Sequence, residues 1–110
     1  MYIPKRFKLL GQTINVEFNN TRTDDMNALG MAKDSTNQIV LSSVHNVNQL
    51  PEESIEATFY HELTHQILYK MNEYELSKNE KFVGTFSGLL HQALKTFEYD
   101  QKDLEFINKI

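Results

Sequence analysis

The chain has 110 residues, 40% hydrophobic and 24% charged, which excludes a disordered chain and suits one domain, 1–110, around a single core. A net charge of −4 argues against a nucleic-acid partner, since the basic cluster Lys5-Arg6-Lys8 is too short to make a basic face. The absence of cysteine removes disulfides and thiolate ligands, and with no membrane-length apolar run and no leader-like N-terminus the expectation is a mature cytoplasmic protein without a membrane partner.

Arg6 to Asn19 alternates: Phe7 and Leu9 precede Gly11-Gln12, and Ile14, Val16 and Phe18 follow at period-two spacing. This predicts two strands joined by a tight turn at Leu10-Gly11-Gln12. Asn19 to Asn27 is polar and acidic and reads as a solvated loop or short turn. Ala28 to Lys33 and Gln38 to Ser42 flank the turn-rich run Asp34-Ser35-Thr36-Asn37, which predicts a hairpin with Ile39-Val40-Leu41 as its second strand. Three consecutive apolar residues there imply a strand packed on both faces or lying deep in the sheet. His45 falls in a loop, where a lone histidine is expected to be solvated.

Leu50-Pro51-Glu52-Glu53 opens a long helix, with proline suited to its first position and the two acids to its dipole. Ile55, Phe59, Leu63 and Ile67 form an i, i+4 ridge that Tyr60 and Met71 widen, so the helix is expected to be largely buried. Within it lies His61-Glu62-Leu63-Thr64-His65, the pattern H-E-x-x-H. Four residues advance a helix by slightly more than one turn, so both imidazoles leave one face and can meet one small cation. Glu62, about 100° around the axis, is placed to take a proton from water instead of ligating. Two imidazoles and one further protein ligand suit tetrahedral zinc with an open position. Ala57, Thr58, Leu68 and Asn72 share the histidines' face and bring no competing charge. The alternative, two core or surface histidines on one helix, stands against this setting and an acid downstream at useful spacing, which most chance copies of the pattern would lack.

Asn72 to Leu76 reverses the chain, and Ser77-Lys78-Asn79-Glu80 opens a second helix expected to reach about Asp100. Its expected inward side is Phe82, Val83, Phe86, Leu89, Leu90, Ala93, Leu94 and Phe97. Gln101 to Ile110 adds a short amphipathic turn through Leu104 and Ile107. The third ligand must follow the histidines. Glu73 and Glu75 sit in the reversal, Glu80 begins the second helix, and His91 lies on nearly the same stripe as Glu80. His91 and Glu80 are roughly 16 Å apart along the axis and cannot serve one ion. Ser77-x-x-Glu80 also reads as a capping box, in which the glutamate bonds the cap's own N–H. Glu80 is preferred as ligand because a two-ligand site is poor and no better oxygen is offered; Glu73, Glu75 and His91 stay open. Gly84 and Ser87, on the Glu80 stripe, leave room opposite the histidines.

His61-Glu62-Leu63-Thr64-His65 followed by Asn79-Glu80-Lys81-Phe82-Val83 resembles the gluzincin branch of zinc metallopeptidases. The run Glu80-x-x-Val83-x-x-Phe86-Ser87-x-x-Leu90 is similar to the corresponding helix of ImmA/IrrE-type peptidases, and the whole is similar to small metallopeptidase-like proteins of phages and prophages, over roughly Pro51 to Leu94. The resemblance implies an α+β fold, a small, mostly antiparallel sheet of three or four strands packed on two long helices, the minimal zincin fold. It implies Zn2+ held by His61, His65 and Glu80, with Glu62 as general base in hydrolysis of a peptide or protein substrate. It also implies that the strand before the first helix offers an edge to extended substrate, with Ile39-Val40-Leu41 nearest the cleft. Larger relatives carry a second subdomain that supplies a Tyr or His to the oxyanion. This chain has no room for one, and Tyr69, Tyr74, His45 and His91 are the available substitutes. That departure keeps a second reading in play, a non-catalytic zincin-fold binding or regulatory protein.

Overall fold

Leu10 and Gly11 both take positive φ, 50° and 76°, the two-residue turn that matches strand twist and closes a tight hairpin. In the computed structural model, which describes residues 2–108, this turn joins β1 (Arg6–Leu9) to β2 (Gln12–Phe18), paired antiparallel from Arg6↔Asn15 to Leu9↔Gln12. The next segment departs from expectation. Asn19 to Asn27 holds a helix, α1 (Asn20–Asp25), whose cap Asn19 accepts from the Arg22 N–H at 3.1 Å. Its signal is a cap and not an apolar period, because Thr23 is its buried residue.

α1 carries the chain across the sheet, so the strand beside β2 runs parallel to it. β3 (Gly30–Lys33) and β4 (Gln38–Leu41) form the expected hairpin, with Asn37 at φ 50° in the turn. The sheet has four strands in the order β1-β2-β4-β3, with β2 and β4 parallel and the other pairs antiparallel. Ile39, Val40 and Leu41 are all fully buried. Ile39 and Leu41 join Ile14, Ile55 and Phe59 in the core, while Val40 faces the other side with its sheet partners Glu17 and Met31. α1 covers that second face, pinned by the Arg22–Glu17 ion pair and by Asn20 Oδ1, which accepts from Ser43 N–H at 2.8 Å.

Beyond β4, β5 (Val44–His45) and β6 (Asn48–Gln49) form a small hairpin through Asn46 and Val47, both at positive φ. His45 therefore lies in a short strand, not in a loop. Pro51 caps the long helix from one position before its start, and α2 spans Glu52–Lys70 with Glu52 and Glu53 in the first turn. Phe59 meets Phe7 edge-on at 6.1 Å, and Leu63 packs half-buried beside the core. The helix stops earlier than the apolar pattern implies. Met71 is its cap and 60% exposed, and Asn72 takes φ 63°, so neither Met71 joins the buried surface nor Asn72 the histidines' face.

A short helix, α3 (Tyr74–Ser77), makes the reversal, followed by α4 (Glu80–Lys95) and α5 (Gln101–Asn108). α4 ends at its cap Thr96, short of Asp100. Its buried stripe is Val83, Ser87 and His91; Phe86, Leu89, Ala93, Leu94 and Phe97, expected inward, are exposed. The sheet occupies the other side of α2, so α4 packs chiefly on α2, with α3 beside it, and buries one narrow stripe. The pattern expected through Leu104 and Ile107 falls on side chains outside the described ones. The result is a mixed α+β fold, a mostly antiparallel sheet with two long helices, α2 lying between the sheet and α4. No helix among the described residues is long and apolar enough to cross a membrane.

Candidate metal centre

His61 and His65 are one turn apart on α2, on the side turned to α4, with ring centroids 5.1 Å apart. Glu80, the first residue of α4, reaches across to both. Its Oε2 lies 3.1 Å from His61 Nε2 and its Oε1 3.4 Å from His65 Nε2. One ligand atom from each of the three residues falls within 4.8 Å of the others. Tetrahedral zinc with bonds of 2.0–2.1 Å needs neighbouring ligand atoms about 3.3 Å apart. The two histidine–carboxylate separations, each to a different oxygen of Glu80, lie close to that edge, and two imidazoles with one carboxylate is a donor set zinc accepts. The residues fit the ion.

The capping-box expectation for Ser77 and Glu80 is overturned. Asn79 caps α4, its Oδ1 accepting from Phe82 N–H at 3.0 Å, so Glu80 is not needed to finish the helix. Ser77 ends α3 instead and is 4% exposed, with its Oγ 2.7 Å from His65 Nδ1. The other candidates for third ligand are not in the cluster. Glu75 pairs with Lys78 at 3.3 Å, and Glu73 is exposed as the cap of α3. His91 is buried, stacked on Tyr60 and 3.1 Å from Glu56. Lys95 and His91 bonded to the Glu56 carboxylate hold it below the usual range.

Glu62 is 8% exposed beside the histidines, and burial, with the Glu80 charge second, raises its carboxyl to about 7. A dication held by the three neighbours would favour the carboxylate. Burial works the opposite way on His65, lowering its pKa and favouring the neutral ring that can ligate.

The strand nearest the motif is β3, not Ile39-Val40-Leu41. β4 lies inside the sheet between β2 and β3, and β3 is the edge. At Gly30 it touches α2: a Cβ there would stand 2.5 Å from Thr58 Cγ2 and 3.2 Å from Glu62 Cγ. Only glycine lets the edge lie this close to Glu62. Gln66, the residue after the motif, ties the hairpin down by donating from Nε2 to Lys33 O at 3.1 Å and Gln38 O at 2.9 Å. Lys70 adds bonds to Asp34 Oδ1 and Asn37 Oδ1 in the turn. Neither Gly30 nor Gln66 stands out in the sequence, since the close approach exists only once strand and helix meet.

Of the four residues proposed to meet an oxyanion, Tyr69 alone touches the cluster, stacked on His65 at 6.1 Å. Tyr74 stacks on Tyr69, but its hydroxyl donates to Asp34 Oδ2 at 2.9 Å. His91 is engaged by Glu56, and His45 sits in β5. Beside His61, a cleft of about 310 Å³ runs between α2 and α4, lined by Ala57, Thr58, Gly84, Ser87 and Gly88. Nothing stands within 4 Å of where a Cβ on Gly84 or Gly88 would be, so this stripe does leave room opposite the histidines.

Comparison with protein-family models, with curated proteins and with solved structures finds no match to this chain. The reading of the site rests on its own geometry.

Proposed function

We propose that this chain is a zinc-dependent peptidase, a gluzincin-like zincin in minimal form, acting on a peptide or protein substrate in the cytoplasm. The observation that carries the reading is the convergence of His61, His65 and Glu80, with donor atoms within 4.8 Å, beside the buried carboxyl of Glu62. Zinc held there supplies a Lewis acid that polarises a carbonyl and acidifies water. Glu62 takes the proton from the attacking water as its oxygen bonds to the carbonyl carbon, and returns that proton to the amide nitrogen as the C–N bond breaks. The β3 edge, Gly30–Lys33, passes over Glu62 and offers backbone groups to which an extended peptide can add as a strand. Of the four residues considered for the oxyanion, Tyr69 is the one stacked on a proposed ligand, and it is the residue we assign to that role.

Elemental analysis and a peptide-library digest, each with and without chelator, test the proposal. One zinc per chain and chelator-sensitive cleavage support it. A chain that holds no stoichiometric metal after refolding with excess zinc refutes it. A second reading, a zincin-fold binding or regulatory protein, draws on the 66% exposure of the Glu80 side chain, which leaves the cluster open to water that larger peptidases exclude. Zinc without cleavage of any library member would favour that reading.

A further inference from the structure

Ser77 and Glu80 are three residues apart and address opposite nitrogens of one imidazole. Ser77 Oγ is 2.7 Å from His65 Nδ1, and Glu80 Oε1 is 3.4 Å from His65 Nε2. They reach both sides because α3 ends at Ser77 and α4 begins at Glu80, with Lys78-Asn79 bending the chain around the ring. The two nitrogens make different demands. When Nε2 gives its lone pair to a metal, Nδ1 carries the proton and needs an acceptor. When Nε2–H faces the Glu80 carboxylate, Nδ1 is a lone pair and needs a donor. A carbonyl satisfies only the first state and an ammonium only the second. A hydroxyl turns about its C–O bond and satisfies both.

We propose that Ser77 is the positioning residue of His65: its hydroxyl holds the ring in one orientation in both tautomers, so that His65 meets and leaves zinc without turning. The proposal rests on the zinc reading above. His65 is 8% exposed and Ser77 4%, so solvent is poorly placed to replace the hydroxyl once it is gone.

The test uses the full chain and zinc alone, with affinity read by competition against a chromophoric chelator. Ser77→Ala is expected to weaken zinc binding about 10- to 100-fold, the usual effect of removing the partner of a ligating histidine. Ser77→Thr keeps the hydroxyl and is expected to restore most of the affinity. Circular dichroism of the zinc-free variants checks that each is folded. A measurement on the wild type needs no variant: in zinc-loaded protein, nitrogen-15 spectra of the histidine rings are expected to show His65 bound through Nε2, with an Nδ1 proton slow to exchange with solvent. If wild type binds zinc and Ser77→Ala binds it equally well, or Ser77→Thr loses as much as Ser77→Ala, the role of Ser77 is overturned and the zinc reading stands. Zinc on Nδ1 of His65 overturns it as well. A wild-type chain that binds no zinc overturns the zinc reading itself, and this proposal with it.

Discussion

Replacing Gly30 with alanine tests the contact that joins the sheet to the H-E-x-x-H helix. The added methyl would stand 2.5 Å from Thr58 Cγ2, where ordinary carbon contacts lie at about 3.5–4.0 Å, an overlap of about 1 Å. Thr58 cannot simply turn away, because its Oγ1 donates to Ser54 O at 2.9 Å and a rotamer change would break that bond. Either β3 lifts off α2 or the bond is lost. Overpacking of this kind costs about 1–3 kcal/mol, and the smaller conformational freedom of alanine in the unfolded chain offsets about 0.4–1 kcal/mol. The expected net loss is about 1–2 kcal/mol, a fall in Tm of roughly 4–10 °C. Thr58→Ser removes Cγ2 and keeps the hydroxyl, so in that background Gly30→Ala should cost clearly less, with only the 3.2 Å approach to Glu62 Cγ left to relieve. Urea or thermal unfolding of the zinc-free wild type, both single variants and the double variant gives the coupling directly. If Gly30→Ala costs the same with and without Thr58→Ser, the close approach of β3 to α2 is not what the substitution perturbs, and the placement of the edge strand over Glu62 is wrong.

Glu62→Gln should retain zinc and lose hydrolysis by about 10²–10⁴-fold, since the amide has nearly the same size but cannot take the water's proton; loss of zinc from this variant would make Glu62 a ligand. Glu80→Ala should release zinc at little cost to the helix, whereas Asn79→Ala should keep zinc and lose about 1 kcal/mol with its cap, a contrast read from chelator competition and apo-protein melting. In the zinc-free chain the Glu62 carboxyl titrates near 7 when folded against an ordinary value of 4.5, so folding favours its neutral form. That stabilisation is complete below about pH 4.5 and is lost as pH rises through about 7, a change of roughly 3 kcal/mol relative to Glu62→Gln, measured by urea unfolding across that range. A flat difference between the two proteins would show that Glu62 is not held in a dry site.

Local patterns carried the sequence reading where one element decides the outcome. The period-two run from Ile14 to Phe18, the turn at Leu10-Gly11 and the consecutive Ile39-Val40-Leu41 reported their strands, because side-chain alternation and positive-φ turns are properties of a few adjacent residues. The spacing of His61 and His65 is set by helix geometry alone, so their common face was legible before any contact was known. Tertiary structure decided the rest. Ser77-x-x-Glu80 satisfies the capping-box pattern as well as a true cap does; only the appearance of α3 turns Ser77 onto His65 and hands the cap to Asn79. The outward turn of Phe86 and Leu89 followed from which side of α2 the sheet covers, information that no window on α4 contains. The same holds for β3 as the edge strand: β2 and β4 pair across a crossover made by α1, a helix without apolar period, and this leaves Gly30 rather than β4 lying on Glu62. Sequence spacing determines what one helix presents. What meets it is chosen by the packing of segments far apart in the chain.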